Sequence, residues 1–120
     1  MLKGLNRFNR FDSESFFNKK ALLYLKAEPW EERTESGDSV RSLGSKVSVL
    51  IARDDTDYGR SDVTNFGESL TIKVRDLDPE VFEELIPMKS QLAITNVERA
   101  TIYGEFRNQL SLIASVEIVK

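Results

Sequence analysis

The side chains of this chain that could do chemistry are mostly basic and aromatic, and they recur at alternate positions of segments with β periodicity. Lys73 and Arg75 are two residues apart, and Tyr24, Lys26 and Trp30 are separated by even numbers of residues. Because successive side chains of a strand point to opposite faces, each set would share one face. Ammonium and guanidinium groups bind phosphates, and aromatic rings stack on other flat rings.

The composition excludes several classes of active site. The chain has no Cys and no His, which excludes disulfides, thiolate nucleophiles, the usual zinc sites and a Ser-His-Asp triad. The carboxylate pairs Glu31/Glu32 and Glu83/Glu84 are adjacent in sequence and would point in different directions, unlike the pair of a glycosidase. We therefore predict a protein that is not an enzyme and uses no cofactor.

The segment 54–59 does not predict a metal site either. With Gly59 at position six of a calcium loop, positions three and five would be Thr56 and Tyr58 instead of carboxylates. The net charge is −3, from 17 basic and 20 acidic residues. Many of the acidic residues fall in two polar segments, 31–44 and 54–67, which we predict to be loops; the predicted strands are therefore less acidic than the whole chain.

The length of 120 residues is that of one domain. We divide it into an N-terminal arm, 1–19, and a domain, 20–120. The arm contains four Phe among basic residues, and it is either packed on the domain or contacts a nucleic acid or another subunit. No run of about 18 apolar residues and no signal-peptide pattern is found, which predicts a cytoplasmic protein.

Five segments alternate apolar and polar residues with the period of a strand: 20–31, 46–53, 69–75, 91–102 and 109–119. A change of phase near Glu98 indicates a bulge in the fourth segment. The predicted inward side chains of the first three segments are Leu23, Leu25, Ala27, Val47, Val49, Ile51, Leu70, Ile72 and Val74.

One short helix is predicted between the third and fourth strands. Asp78 is a good N-cap, Pro79 suits the first turn, and Pro87 ends the segment. Its predicted apolar face consists of Val81, Phe82, Leu85 and Ile86. The element order β-β-β-α-β-β predicts an all-β domain with one short helix, specifically a five-stranded OB-fold barrel. The alternative is an open α+β sheet covered by one helix.

The segment 96–119, NVERATIYGEFRNQLSLIASVEIV, and the turn YGEFRNQLSL within it resemble the last two strands of OB-fold single-stranded DNA-binding proteins. The likeness extends over about residues 20–120 and is greatest to small members from Gram-positive phages and conjugative elements. It implies largely sequence-independent binding of single-stranded DNA during replication, recombination or transfer of a mobile element. It also implies a homo-oligomer and contacts with replication or recombination proteins.

In an OB fold the ligand lies on the outer face of strands two and three, between the loop joining strands one and two and the loop joining strands four and five. Whether DNA or RNA is preferred is left open. The alternative function is a protein-interaction module, an accessory subunit of a replication or conjugation complex that uses the acidic loops. The candidate nucleic-acid-binding residues are Tyr24, Lys26, Trp30, Lys46, Arg53, Tyr58, Arg60, Lys73, Arg75, Tyr103, Phe106 and Arg107.

Overall fold

The structure, a computed structural model, describes residues 13–33, 40–56, 58–59, 64–103 and 109–119. It is mostly β, with five strands and one short helical segment between the third and fourth, as predicted. The elements are α1 (Ser13–Asn18), β1 (Lys20–Arg33), β2 (Val40–Asp54), β3 (Ser69–Arg75), a 3₁₀-helix (Pro79–Phe82), β4 (Gln91–Tyr103) and β5 (Gln109–Val119).

The strands pair in an order that returns to its start, β1-β2-β3-β5-β4. Antiparallel ladders join β1 to β2, β2 to β3 and β4 to β5. The two remaining junctions are short. β3 runs parallel to β5 and pairs with it at Lys73 and Ile113, whereas β1 meets β4 through Leu22–Leu92 and Leu23–Gln91.

The core lies inside this closed sheet and is built from alternate residues of the strands. Val47, Val49 and Ile51 of β2 are buried, as are Ile72 and Val74 of β3. These are the inward positions predicted from the sequence, because both strands alternate without interruption through these residues. The bulge predicted near Glu98 is also present, since the β4–β5 register shifts between Val97 and Arg99.

The prediction of which side chains of the first strand face the core is wrong for the first residues of β1. Leu22 and Tyr24 are buried, while Leu23 and Leu25 are only half-buried. Register shifts between Ala21 and Leu22 and between Tyr24 and Lys26 interrupt the alternation, and such bulges change which side chains face the core.

The predicted start of the second strand is also wrong. β2 begins at Val40 instead of residue 46, so Gly44 lies in a strand and not in a loop. Gly44 has a φ of +149°, and a Cβ atom there would overlap the carbonyl oxygen of Val74 on β3. Because only glycine lacks a Cβ, this position allows β2 and β3 to approach closely.

The predicted helix is a single turn of 3₁₀-helix. Asp78 caps it as expected, because its carboxylate accepts a hydrogen bond of 3.0 Å from the backbone N–H of Glu80. Its buried side chains are Phe82 and, just beyond the helix, Leu85, whereas Val81 and Ile86 are 57% and 55% exposed. An α-helix would place all four apolar residues on one face. Here the backbone N–H of Leu85 donates to the carbonyl of Phe82 at 3.1 Å, and a turn of this type brings residues three apart to the same side.

The last residues of the predicted N-terminal arm are attached to the sheet. Phe17 of α1 packs against the core cluster. The first twelve residues of the arm lie outside the described residues. No helix within the described ranges is long and apolar enough to cross a membrane.

Leu112, which is 1% exposed on β5, provides a test of the core. We expect Leu112→Ala to lower the free energy of unfolding by about 2–5 kcal/mol, because it leaves a cavity among the strands. Urea denaturation would measure the loss. Glu117→Ala on the exposed part of the same strand is the control and should cost less than about 0.5 kcal/mol; equal losses in the two variants would contradict this description of the core.

Candidate functional site

The outer surface of β1, β2 and β3 carries side chains from three consecutive rows across the strands. The register aligns Lys26 with Ser48 and Thr71, Glu28 with Lys46 and Lys73, and Trp30 with Gly44 and Arg75. We call these nine residues the basic face. Directly paired residues of a sheet project to the same side, so the face brings together five of the predicted binding residues: Lys26, Trp30, Lys46, Lys73 and Arg75.

Trp30 lies on this face but is covered, being only 9% exposed. The Nζ atom of Lys73 is 5.5 Å from the centroid of its ring, and the Cζ atom of Arg75 is 5.3 Å from it. Both distances are those of cation–π contacts. The residue opposite Trp30 is Gly44, which has no side chain to compete for the space between Trp30 and β3. The prediction of an exposed stacking ring is therefore corrected to a ring beneath two cations.

The cations of the face differ in whether a carboxylate neutralises them. Lys26 binds Glu28 at 2.6 Å, and Arg75 binds Glu98 of β4 at 2.8 Å. Within the part of the chain that the structure describes, no carboxylate lies within 4.0 Å of Lys46 or Lys73. These two lysines are paired directly across β2 and β3, so they form a pair of neighbouring cations on the face that no described carboxylate binds.

Glu28 is the carboxylate in the middle row. A hydrogen bond from Lys26, together with the charges of Lys26 and Lys46, holds the pKa of Glu28 below its usual value. It is therefore ionised at neutral pH and offsets part of the positive charge of its two lysine neighbours.

Tyr103 borders a cleft that continues from the basic face. The cleft has a volume of about 420 Å³ and is lined by Thr71, Lys73, Tyr103 and residues 110–112. It lies where β3 and β5 separate, because Lys73–Ile113 is the one pair that joins these strands in the described structure. The Tyr103 side chain, at the end of β4, is about half exposed, so its ring is accessible in the cleft that Lys73 also lines.

A larger cleft, of about 540 Å³, lies between α1 and β4 and is lined by Phe17, Lys20, Leu22 and residues 91–97, among others. Its lysine is not accessible to a ligand, because the Lys20 ammonium is fully buried against Asp54. We therefore place the candidate site on the basic face and the Tyr103 cleft.

The buried ion pair of Lys20 and Asp54 was not predicted. Their closest nitrogen and oxygen atoms are 3.2 Å apart, and both side chains are fully buried. The Lys20 ammonium also donates to the backbone oxygen of Phe16 at 2.7 Å and to the hydroxyl of Thr56 at 2.9 Å. It lies 3.7 Å from the centroid of the Phe16 ring. The pair thus joins α1, β1 and the end of β2.

Asp54 also holds the chain that follows β2. It accepts hydrogen bonds from the Tyr58 hydroxyl at 2.7 Å, the Asn65 N–H at 2.8 Å and the Thr56 N–H at 3.2 Å. Burial by itself raises the pKa of Asp54, but the bonds from Asn65, Tyr58 and Thr56 outweigh it and hold the pKa well below its usual range. The prediction that Asp54 belongs to a solvated loop is wrong.

Several predicted site residues lie away from the basic face. Tyr24 is 7% exposed, and its ring stacks on Phe82 with centroids 6.5 Å apart, so the prediction that it faces outward is wrong. Tyr58 binds Asp54 and accepts a hydrogen bond from the Asn65 amide. Arg53 is exposed at the far end of β2, where it pairs with Asp55 at 3.4 Å. The remaining three, Arg60, Phe106 and Arg107, lie outside the described residues.

Two residues of the site were missed, Gly44 and Glu98. The polar segment before Gly44 and the preference of glycine for loops predict a loop at this position, whereas Gly44 lies in β2. The phase change at Glu98 was the available signal, since a bulge often redirects a side chain toward a site.

A comparison of the chain with models of known protein families gave no match, and comparisons with curated proteins and with solved structures gave no significant match either.

The two adjacent carboxylates Asp54 and Asp55 allow a matched test of the buried ion pair. We expect Asp54→Asn to lower the free energy of unfolding by about 3–5 kcal/mol, because Lys20 would be left as an uncompensated buried charge. Asp55→Asn should cost less than about 1 kcal/mol, since its pair with Arg53 is exposed. Urea denaturation at pH 7 measures both, and similar losses would contradict the assignment.

The same pair predicts how stability depends on pH. The pKa of Asp54 is lower in the folded protein than in the unfolded chain, where it is about 3.9. Its stabilisation is therefore complete well above pH 4 and declines as the pH falls below about 4, where the unfolded chain takes up the proton first. Asp54→Asn should flatten this part of the stability profile, which urea denaturation at several pH values between about 3 and 7 would measure, and an unchanged profile would contradict the assignment.

Proposed function

We propose that this protein is a non-catalytic, cytoplasmic OB-fold protein that binds single-stranded DNA with little dependence on sequence. Its processes would be replication, recombination or transfer of a phage or mobile element. The fold assignment is supported by the closed strand order β1-β2-β3-β5-β4 and by the single helical turn between β3 and β4. In an OB fold, the outer surface of the second and third strands carries the ligand.

The observation that carries the functional proposal is the charge pattern on β2 and β3. Lys46 and Lys73 lie side by side without a carboxylate partner among the described residues, and Arg75 follows in the next row. Cations at neighbouring positions on one face of the sheet can neutralise successive phosphates of a nucleic-acid backbone. The ring of Tyr103, about half exposed at the cleft, is suited to stacking on a base.

The same features favour a single strand over a duplex. Stacking requires a base whose face is accessible, and duplex bases are already stacked on one another. Stacking also accepts any base, which is the basis for the proposed sequence independence. We further propose that the protein forms a homo-oligomer, since coupling several binding faces raises the overall affinity.

A second candidate function is a protein-interaction module in a replication or conjugation complex. It is favoured by three apolar side chains that are more than half exposed within eight residues: Val81, Ile86 and Met88. Clusters of exposed apolar side chains are typical of protein contacts. This function predicts no binding of an oligonucleotide by the basic face.

The first test compares the affinity of the protein for single-stranded and for duplex DNA. We expect a labelled 20-nucleotide oligothymidine to bind at about 50 mM salt with micromolar protein or better, and the affinity to fall steeply as salt rises, because phosphate contacts release counterions. A duplex of the same length should bind far more weakly. Fluorescence anisotropy measures both, and equal affinity for the two forms, or no binding at all, would reject the proposed function.

The second test removes the cations of β3. We expect Lys73→Ala/Arg75→Ala to weaken binding and to reduce the slope of log K against log salt by up to about 1.4, at about 0.7 for each phosphate contact. Lys19→Ala/Lys89→Ala removes the same charge from exposed positions outside the basic face and is the matched control. An unchanged slope in the β3 variant, with its fold shown intact by circular dichroism, would favour the protein-interaction function.

A further inference from the structure

Arg75 makes two contacts at once, and each has consequences for a ligand. Its Nε atom lies 2.9 Å and 2.8 Å from the two carboxylate oxygens of Glu98, and its guanidinium lies over the ring of Trp30. Glu98 reaches Arg75 from the bulge of β4, where the register with β5 shifts. A bulged residue has no direct partner on the neighbouring strand, so its side chain is free to take another direction.

We infer that Glu98 occupies the position of a DNA phosphate on Arg75 and thereby keeps Trp30 covered until a single strand arrives. This inference rests on the proposed function. Carboxylate and phosphate bind a guanidinium in the same way, through oxygens that accept hydrogen bonds from its planar fork. An incoming phosphate therefore competes with Glu98 for the same donor.

The exchange is feasible because the pair that it breaks is exposed. The side chains of Arg75 and Glu98 are 45% and 53% exposed, and exposed ion pairs contribute little net stability. On Arg75 the phosphate also interacts favourably with the positive charges of Lys73 and Lys46, which lie in the neighbouring row. Glu98, when displaced, remains solvated at the surface, so no buried charge is created.

The exchange also determines when Trp30 can stack. While Arg75 and Lys73 lie over the ring, its face is closed to a base. When both cations turn toward phosphates, the ring becomes accessible, and a base next to those phosphates can take their place. A polyanion without bases would displace Glu98 and leave the ring exposed to water. The covered ring thus favours ligands in which phosphates and bases alternate.

The first experiment needs no DNA. Trp30 is the single tryptophan of the chain, so acrylamide quenching of its fluorescence reports how accessible the ring is. Glu98→Gln removes the negative charge that holds Arg75, and we expect the quenching constant to rise about twofold relative to the wild type. Glu83→Gln removes the same charge from the exposed turn after the 3₁₀-helix and should leave quenching unchanged. Unchanged quenching in Glu98→Gln would overturn the inference, whatever the protein binds.

The second experiment adds the ligand in two forms, a 20-nucleotide oligothymidine and an abasic oligonucleotide of the same length. We expect oligothymidine to protect Trp30 from acrylamide and the abasic strand to increase its quenching. Protection by both strands, or by neither, would overturn the proposed uncovering of the ring.

A double-mutant cycle separates the specific role of Glu98 from its general charge. Glu98→Gln should raise the affinity for oligothymidine roughly two- to fivefold, the range set by the loss of an exposed ion pair. In the background of Arg75→Ala the same change should have no effect. An equal gain in both backgrounds would mean that Glu98 acts only as a distant negative charge, and the inference would fail while the proposed function stood. If the wild type bound neither oligonucleotide, the proposed function would fail, and the ligand-exchange part of the inference with it.

Discussion

The buried ion pair between Lys20 and Asp54 fixes the start of β1 against the end of β2, and the outer surface of the sheet depends on that alignment. Lys20 and Asp54 are partners in the β1–β2 ladder. A buried pair tolerates little displacement, because separating the two charges leaves each without compensation. A slip of one residue would also move every side chain of β1 to the other face. Trp30 would then no longer face Gly44, and Glu28 would no longer face Lys46.

The regular part of the fold could be predicted from the sequence, and the irregular part could not. β3 and the centre of β2 alternate strictly, so Val47, Ile72 and their neighbours were placed correctly in the core. β1 contains bulges that the pattern does not reveal, because its inner and outer residues are both apolar near Leu22 and Leu23. The outward direction predicted for Tyr24 is wrong for this reason. A tyrosine side chain is as common on a solvent-exposed face of a sheet as in a core, where Tyr24 packs on Phe82.

In the candidate site, too, the direction of the strand side chains could be predicted from the sequence, whereas their contact partners could not. The outward direction of Lys73 and Arg75 follows from the period of a strand, and the structure places them as expected. Their partners do not follow from the sequence. Glu98 lies 23 residues beyond Arg75, and only the closed order of the sheet brings the two together. Lys20 and Asp54 look like ordinary charged ends of strands, and nothing in the local sequence indicates that both are fully buried.

Gly44 has a consequence for how this surface can change during evolution. Its backbone conformation and the nearby Val74 carbonyl leave no room for a Cβ atom, and Trp30 is its direct partner in the β1–β2 ladder. A larger residue at position 44 would have to displace β3, and a smaller residue at position 30 would leave a gap beneath Lys73 and Arg75, which lie over the Trp30 ring. We therefore expect positions 30 and 44 to covary among descendants of this sequence, with an aromatic residue retained wherever the glycine is retained.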